Sequence, residues 1–153
     1  MLEIGQKAPN FNLPDETGNN VSLDDFSNKN IILFFYPKDN TPGCTKESIG
    51  FSSIKDQFTA LDTVILGASK DSVKKHQNFI KKHNLTVKLI VDEDDTLCDS
   101  YGVWVKKKLY GREYMGIERA TFLIGKDGMI KQIWRKVKVD GHVEAVLEAV
   151  KQL

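Results

Sequence analysis

The stretch Ile31-Ile32-Leu33-Phe34-Phe35-Tyr36-Pro37-Lys38-Asp39-Asn40-Thr41-Pro42-Gly43-Cys44-Thr45-Lys46-Glu47 changes character twice. Its first six residues are a continuous apolar run, the pattern of a strand buried on both faces of a parallel sheet. Residues 37–43 then bring two prolines and a glycine, which stop the strand and build a turn. From Cys44 onward Phe51, Ile54, Phe58 and Leu61 recur at helical spacing. Strand, turn and helix in that order put Cys44 in or near the first helical turn, at the carboxyl end of a buried strand. Ligands of open α/β sheets bind at that end.

The flanking sequence extends the same alternation. Residues 64–68 and 87–91 read as further buried strands. Asp71 precedes a second helix in which Val73, Phe79 and Ile80 face inward, and Asp95 or Thr96 opens a short third helix that ends before Gly102. Residues 121–124 and 129–134 are strands joined around Lys126-Asp127-Gly128, whose Asp-Gly pair signals a hairpin. Val143, Val146, Leu147 and Val150 mark a terminal amphipathic helix. Near the start, residues 11–13 and 21–23 flank a Gly18-Asn19-Asn20 turn, which gives a small N-terminal β-hairpin. The order implies an α/β fold: a central mixed sheet with helices on both faces, parallel strands first and a hairpin last, the thioredoxin-like arrangement. With no repeat, low-complexity segment or linker, residues 1–153 read as a single domain.

Bulk properties narrow the function. A chain of 153 residues can bury one sufficient core, and 41% hydrophobic with 28% charged residues is the balance of a globular protein. The 22 basic and 21 acidic residues leave a net charge of +1, which gives no electrostatic support for binding nucleic acid. Lys106-Lys107-Lys108 is a short basic run and reads as a solvated loop. The N-terminal residues lack the charged-then-apolar pattern of a secretory signal, and the apolar run 31–36 is too short to span a membrane. The expected location is the cytoplasm. There, Cys44 and Cys98 are expected as free or redox-active thiols rather than a structural disulfide.

A helix N-terminus presents unpaired N–H groups and partial positive charge, and both favour a thiolate over a thiol. The thiolate is the nucleophile, so Cys44 is the candidate reactive group. Thr41 lies on the turn over the helix start, where its hydroxyl can donate to an anionic or peroxidic oxygen. Pro37 and Pro42 remove backbone donors, stiffen the turn and shield the sulfur. Gly43 allows close backbone approach.

The spacing Pro37-x-x-x-Thr41-x-x-Cys44 resembles the active-site signature of the peroxiredoxins. The longer run Tyr36-Pro37-Lys38-Asp39-Asn40-Thr41-Pro42-Gly43-Cys44-Thr45-Lys46-Glu47 is similar to the PrxQ, or bacterioferritin comigratory protein, subfamily. So are Ala8-Pro9-Asn10-Phe11-Asn12-Leu13-Pro14-Asp15, Tyr101-Gly102-Val103-Trp104, and the segment from Gly116-Ile117-Glu118-Arg119 to Ile124. The resemblance spans nearly the whole chain. It implies that Cys44 is the peroxidatic cysteine, that Thr41 orients the peroxide, that Pro37 shields the site, and that Arg119 is the active-site arginine. A fixed cation near Cys44 would stabilise the thiolate and the charge developing on the leaving oxygen. The implied reaction is attack of the thiolate on hydrogen peroxide or an organic hydroperoxide, leaving a sulfenic acid on Cys44.

The sequence departs from that family in one respect. Many PrxQ proteins carry a resolving cysteine five residues after the peroxidatic one, where this chain has Ile49. Others carry it in the following helix, where residues 71–84 hold no cysteine and position 80 is Ile80. The expectation is a one-cysteine cycle, completed by an external thiol: glutathione, glutaredoxin or thioredoxin. Cys98 reads as a small buried hydrophobe, with an atypical resolving role as the alternative. A thioredoxin-like disulfide oxidoreductase is disfavoured because Thr41 stands where the first cysteine of a Cys-x-x-Cys would be. A non-enzymatic peroxide sensor or chaperone-like protein shares the first chemical step and differs in the fate of the sulfenic acid.

The remaining polar residues carry weaker expectations. His76, His83 and His142 share no ligand spacing with either cysteine, and no phosphate or dinucleotide motif is present, so neither metal nor cofactor is expected. His76 and His83 are expected to be partly exposed, and Trp104 and Trp134 to pack. Glu47 either complements the helix dipole or makes a polar contact at the site's rim. Apart from the family resemblance, Arg119 has Glu118 or Glu113 as possible surface partners. A monomer is expected.

Overall fold

Strand β3, Asn30–Phe35, is buried at every residue and lies at the centre of a five-stranded sheet. The computed structural model describes residues 2–153. β1 (Asn12–Pro14) and β2 (Asn20–Ser22) form the N-terminal hairpin, and a single 3-10 turn, Leu23–Phe26, follows. After β3 come α1 (Pro42–Ser53), α2 (Lys55–Thr59), β4 (Thr63–Ser69), α3 (Val73–His83), β5 (Lys88–Val91) and α4 (Thr96–Ser100). The chain ends with β6 (Trp104–Leu109), β7 (Arg112–Ile117), β8 (Ala120–Ile124), β9 (Ile130–Trp134) and α5 (His142–Lys151). The sheet order is β5-β4-β3-β8-β9, with β3, β4 and β5 parallel and β8 and β9 antiparallel. This is the mixed, helix-flanked sheet of the thioredoxin-like class.

Successive side chains of β3 point to opposite faces, as the two-residue period of a strand requires. Ile31, Leu33 and Phe35 join a cluster with Leu97, Cys98 and Tyr101 of α4. Ile32, Phe34 and Tyr36 join the other, with Cys44 and Phe51 of α1, Phe58 of α2, Phe79 of α3, and Val146 and Val150 of α5. The two cysteines therefore lie on opposite faces of the sheet. Phe34 stacks on Phe51 with ring centroids 4.8 Å apart, which fixes α1 against the strand that delivers it. Fully burying a side chain of this size contributes about 1.5–3 kcal/mol.

Three details differ from the sequence reading. Lys106, Lys107 and Lys108 lie in β6, not in a loop. β6 and β7 form a separate antiparallel ribbon whose turn residues, Tyr110 and Gly111, have φ of 51° and 77°. Two consecutive positive φ angles are the geometry of a tight hairpin turn, which Asn-Gly announces and Tyr-Gly does not. The ribbon is largely solvated, so its strands need no apolar alternation. Next, the single helical period from Cys44 to Leu61 is broken at Ile54 (φ −118°, ψ 20°), which separates α1 from α2. Finally, His76 is fully buried instead of partly exposed, because Asp39 and the Ile90 carbonyl supply partners inside. Among the described residues no helix is long and apolar enough to cross a membrane.

Candidate active site

β3 delivers the chain to a turn that ends at Thr41, the N-cap of α1, with Pro42 in the first helical position. Proline suits that position because its missing N–H would be unpaired there anyway. The first intrahelical bond runs from Thr45 N–H to Thr41 O at 2.8 Å. The amides of Gly43 and Cys44 precede it and point out of the helix start. Cys44 is the third helical residue and only 1% exposed. Thr41 is half-buried and donates its hydroxyl to Lys38 O at 2.8 Å, so its oxygen is held on the turn. Pro37 is exposed on the same turn.

Arg119 enters from just before β8. Its Nη2 donates to Cys44 Sγ at 3.2 Å, and its Nη1 donates to Glu47 Oε1 at 2.8 Å. The guanidinium thus bridges the third and sixth residues of α1. A Cβ built on Gly43 would stand 3.1 Å from Nη2, so the close approach at Gly43 is that of Arg119. Neither Glu118 nor Glu113 takes this arginine: Glu118 pairs with Arg135 at 2.8 Å and Glu113 with Lys106 at 2.9 Å.

Glu47 is 0% exposed and sits beneath the site instead of at its rim. Burial pushes its carboxyl up to about 7, against the opposing pull of Arg119. Its second oxygen, Oε2, has no hydrogen-bond partner among the described residues and lies 3.9 Å from His142 Nε2. Burial and the nearby Arg119 push His142 down to about 4, so its ring is neutral. The same Nε2 is 2.8 Å from Thr121 Oγ1, and Trp134 meets the ring edge-on. Glu47 and His142 are far apart in the chain, and no spacing or motif announces their approach.

A second buried polar group holds the turn from behind. Asp39 Oδ2 lies 2.7 Å from His76 Nδ1, and Asp39 Oδ1 accepts from the Tyr36 hydroxyl at 2.6 Å. The Asp39 amide donates to Asp71 Oδ2 at 2.8 Å, which also accepts from Ser69 Oγ at 2.8 Å. Asp39, Asp71 and His76 cluster as metal ligands do. However, His76 Nε2 faces the Ile90 carbonyl at 2.9 Å, where it must donate, and Nδ1 faces the Asp39 carboxylate. Both ring nitrogens are occupied by hydrogen bonds, which accounts for the cluster without an ion.

Cys98 is elsewhere. It is fully buried on α4, its amide donates to Asp92 Oδ2 at 2.8 Å, and burial together with the Asp92 carboxylate pushes its thiol well above the usual range. Ile49 is 42% exposed on the outer side of α1, in a groove of about 750 Å³ that Pro42, Thr45 and Val139 also line. That groove lies across the helix from Cys44, which faces inward with Glu47 and Phe51.

A buried cysteine at a helix start, gripped by an arginine that leads into the neighbouring strand β8, defines a thiol-chemistry site on a thioredoxin-like fold. The model of the AhpC/TSA family matches residues 4–133. A putative peroxiredoxin bcp of Coxiella burnetii is 54% identical over 146 residues, covering 95% of this chain and 97% of its own. Peroxiredoxin Bcp of Bacillus subtilis is 49% identical over 152 residues, with 99% and 97% covered. Among solved structures, PrxQ of Xylella fastidiosa superposes with a TM-score of 0.94 at 39% identity, covering 99% of this chain and 97% of that one. The bacterioferritin comigratory protein of Xanthomonas campestris, described by its alkyl peroxide reduction activity, gives 0.89 at 41%, with 93% and 90% covered. This chain belongs to the AhpC/TSA family, among the Bcp and PrxQ peroxiredoxins, which are thiol-dependent peroxidases.

Proposed function

We propose that the protein reduces hydrogen peroxide and organic hydroperoxides at Cys44, in a one-cysteine cycle closed by an external thiol. The observation that carries this reading is the 3.2 Å contact from Arg119 Nη2 to Cys44 Sγ at the start of α1. The thiolate attacks one peroxide oxygen, the S–O bond forms as the O–O bond breaks, and Cys44 becomes a sulfenic acid. Arg119 and the helix-start amides face the place where negative charge moves from sulfur to the leaving oxygen. Thr41 orients the peroxide, and Pro37 stiffens the turn.

The second half of the cycle needs a partner. Cys98 lies across the sheet from Cys44, and its thiol is held protonated by burial and Asp92. A disulfide needs Cα atoms within about 7 Å, so the fold supports reduction by glutathione, glutaredoxin or thioredoxin instead. Two buried free cysteines fit the cytoplasm. We read the protein as one domain and a monomer. Both sheet edges are guarded, β5 by the Asp15–Ile90 bridge and β9 by the exposed Lys131, which discourages strand pairing between copies. Steady-state peroxide consumption with each thiol donor tests the cycle. Turnover that vanishes in Cys44→Ser and persists in Cys98→Ala is expected. One stoichiometric oxidation without turnover, whatever the donor, would favour a sensor.

A further inference from the structure

We infer that Cys44 and Glu47 share one negative charge through Arg119, so that oxidation of Cys44 releases the proton of Glu47. The inference rests on Cys44 being the attacking thiolate. Two acids touch one guanidinium: Sγ at 3.2 Å from Nη2 and Oε1 at 2.8 Å from Nη1. Both are out of water, at 1% and 0% exposure. Burying an uncompensated charge is expensive, so the site favours one ionised acid at a time.

Among the described residues no other group supplies a second positive charge to Glu47. His142, on α5, is neutral, and Thr121 on β8 is a hydroxyl. Ser48, next on α1, is buried and its hydroxyl has no partner among the described residues. Lys107 of β6 feels the charges of Arg119 and Cys44 but not that of Glu47, and burial with Arg119 lowers its own basicity. Glu118 is taken by Arg135. In the reduced enzyme the sulfur holds the charge and Glu47 keeps its proton. The unpartnered Oε2 is where that proton resides, consistent with a carboxyl raised to about 7.

The balance closes over a full cycle. The thiolate takes one oxygen from ROOH, sulfur is oxidised, and the peroxide is reduced to RO⁻, which gains one proton. The sulfenic acid is neutral, so Arg119 now faces only Glu47, and the carboxyl loses one proton. One proton is gained and one lost, with none drawn from solvent. Two external thiols then reduce the sulfenic acid to the thiol, giving water and a disulfide of the reductant. The regenerated Cys44 thiol gives its proton up as Glu47 takes one back.

The test mixes reduced enzyme with one equivalent of hydrogen peroxide in weak buffer containing a pH indicator, just below pH 7. Wild type is expected to take up well under one proton per oxidised Cys44. Glu47→Gln is expected to take up one, because its leaving oxygen must draw on solvent. Equal uptake in the two proteins overturns the inference. Alkylation of Cys44 is followed alongside, and Glu47→Gln is expected to show a thiolate fraction at least as high as wild type; a lower fraction also overturns it. On wild type alone, the oxidised-minus-reduced infrared spectrum is expected to show loss of a protonated carboxyl band, and its absence counts against the inference. If Cys44 gains no sulfenic acid and Cys44→Ser behaves as wild type, the attacking-thiolate reading itself has failed.

Discussion

Asp39 and His76 are joined by a 2.7 Å contact that ties the turn before Cys44 to helix α3. Both side chains are buried, and His76 is 0% exposed. Removing one partner of a buried pair typically costs about 3–5 kcal/mol, because the other charge is left unpaired. His76→Ala is therefore expected to lower the unfolding free energy by an amount of that order. Urea denaturation of the two proteins measures it.

The same pair makes stability depend on pH. Burial pulls His76 down, but the hydrogen bond and charge of Asp39 outweigh it, and the folded pKa is raised above the usual 6.5. A raised histidine contributes fully below its unfolded pKa and loses that contribution as pH rises through the folded value. Glu47 acts with the same sign: its folded state holds a proton up to about 7 where the unfolded chain lets go near 4.5. Stability is expected to fall as pH climbs from about 5 past neutrality. Thermal unfolding across that range checks this, and the His76→Ala deficit is expected to shrink towards alkaline pH.

Arg119→Met is expected to slow oxidation of Cys44 by about 10²–10³-fold, the usual loss when one preorganised donor is removed from developing charge. Arg119→Lys should recover little of it. A point-charge ammonium cannot hold Cys44 and Glu47 with two separate nitrogens. Stopped-flow oxidation under single-turnover conditions is the measurement.

Thr41 gives a separable effect. Its hydroxyl donates to Lys38 O, which leaves the oxygen as an acceptor for the peroxide O–H; Thr41→Ser keeps that acceptor and Thr41→Val removes it. Losing one neutral hydrogen bond costs about 0.5–1.5 kcal/mol, roughly 2- to 13-fold in rate. Peroxide kcat/KM for the two variants should differ by that factor, with similar melting temperatures.

How much of this was legible beforehand differs from residue to residue. The run 31–36 and the turn after it announced a buried strand leading into a helix, and β3 and α1 form there. Apolar period is a local signal, and the core obeys it. The ribbon β6–β7 was hidden because solvated strands carry no such period, and its turn uses Tyr110 at φ 51°. Arg119 came from a family resemblance, not from spacing, since 75 residues separate it from Cys44. Glu47 was visible as a residue of the first turns, but its burial was not. Only the folded chain brings Arg119 over it and His142 beside it. His76 likewise looked like one polar residue on a polar helix, until the fold brought Asp39, from the turn after β3, against it.

On the proposed cycle Cys44 reacts alone and an outside thiol restores it. Intact-mass analysis after one equivalent of peroxide, without added thiol, tests that most directly. The expected product carries one added oxygen, trapped on Cys44 by a sulfenic-acid reagent, with Cys98 still a free thiol. A chain that has instead lost two hydrogens, with Cys44 and Cys98 in one disulfide-linked peptide pair, would contradict it.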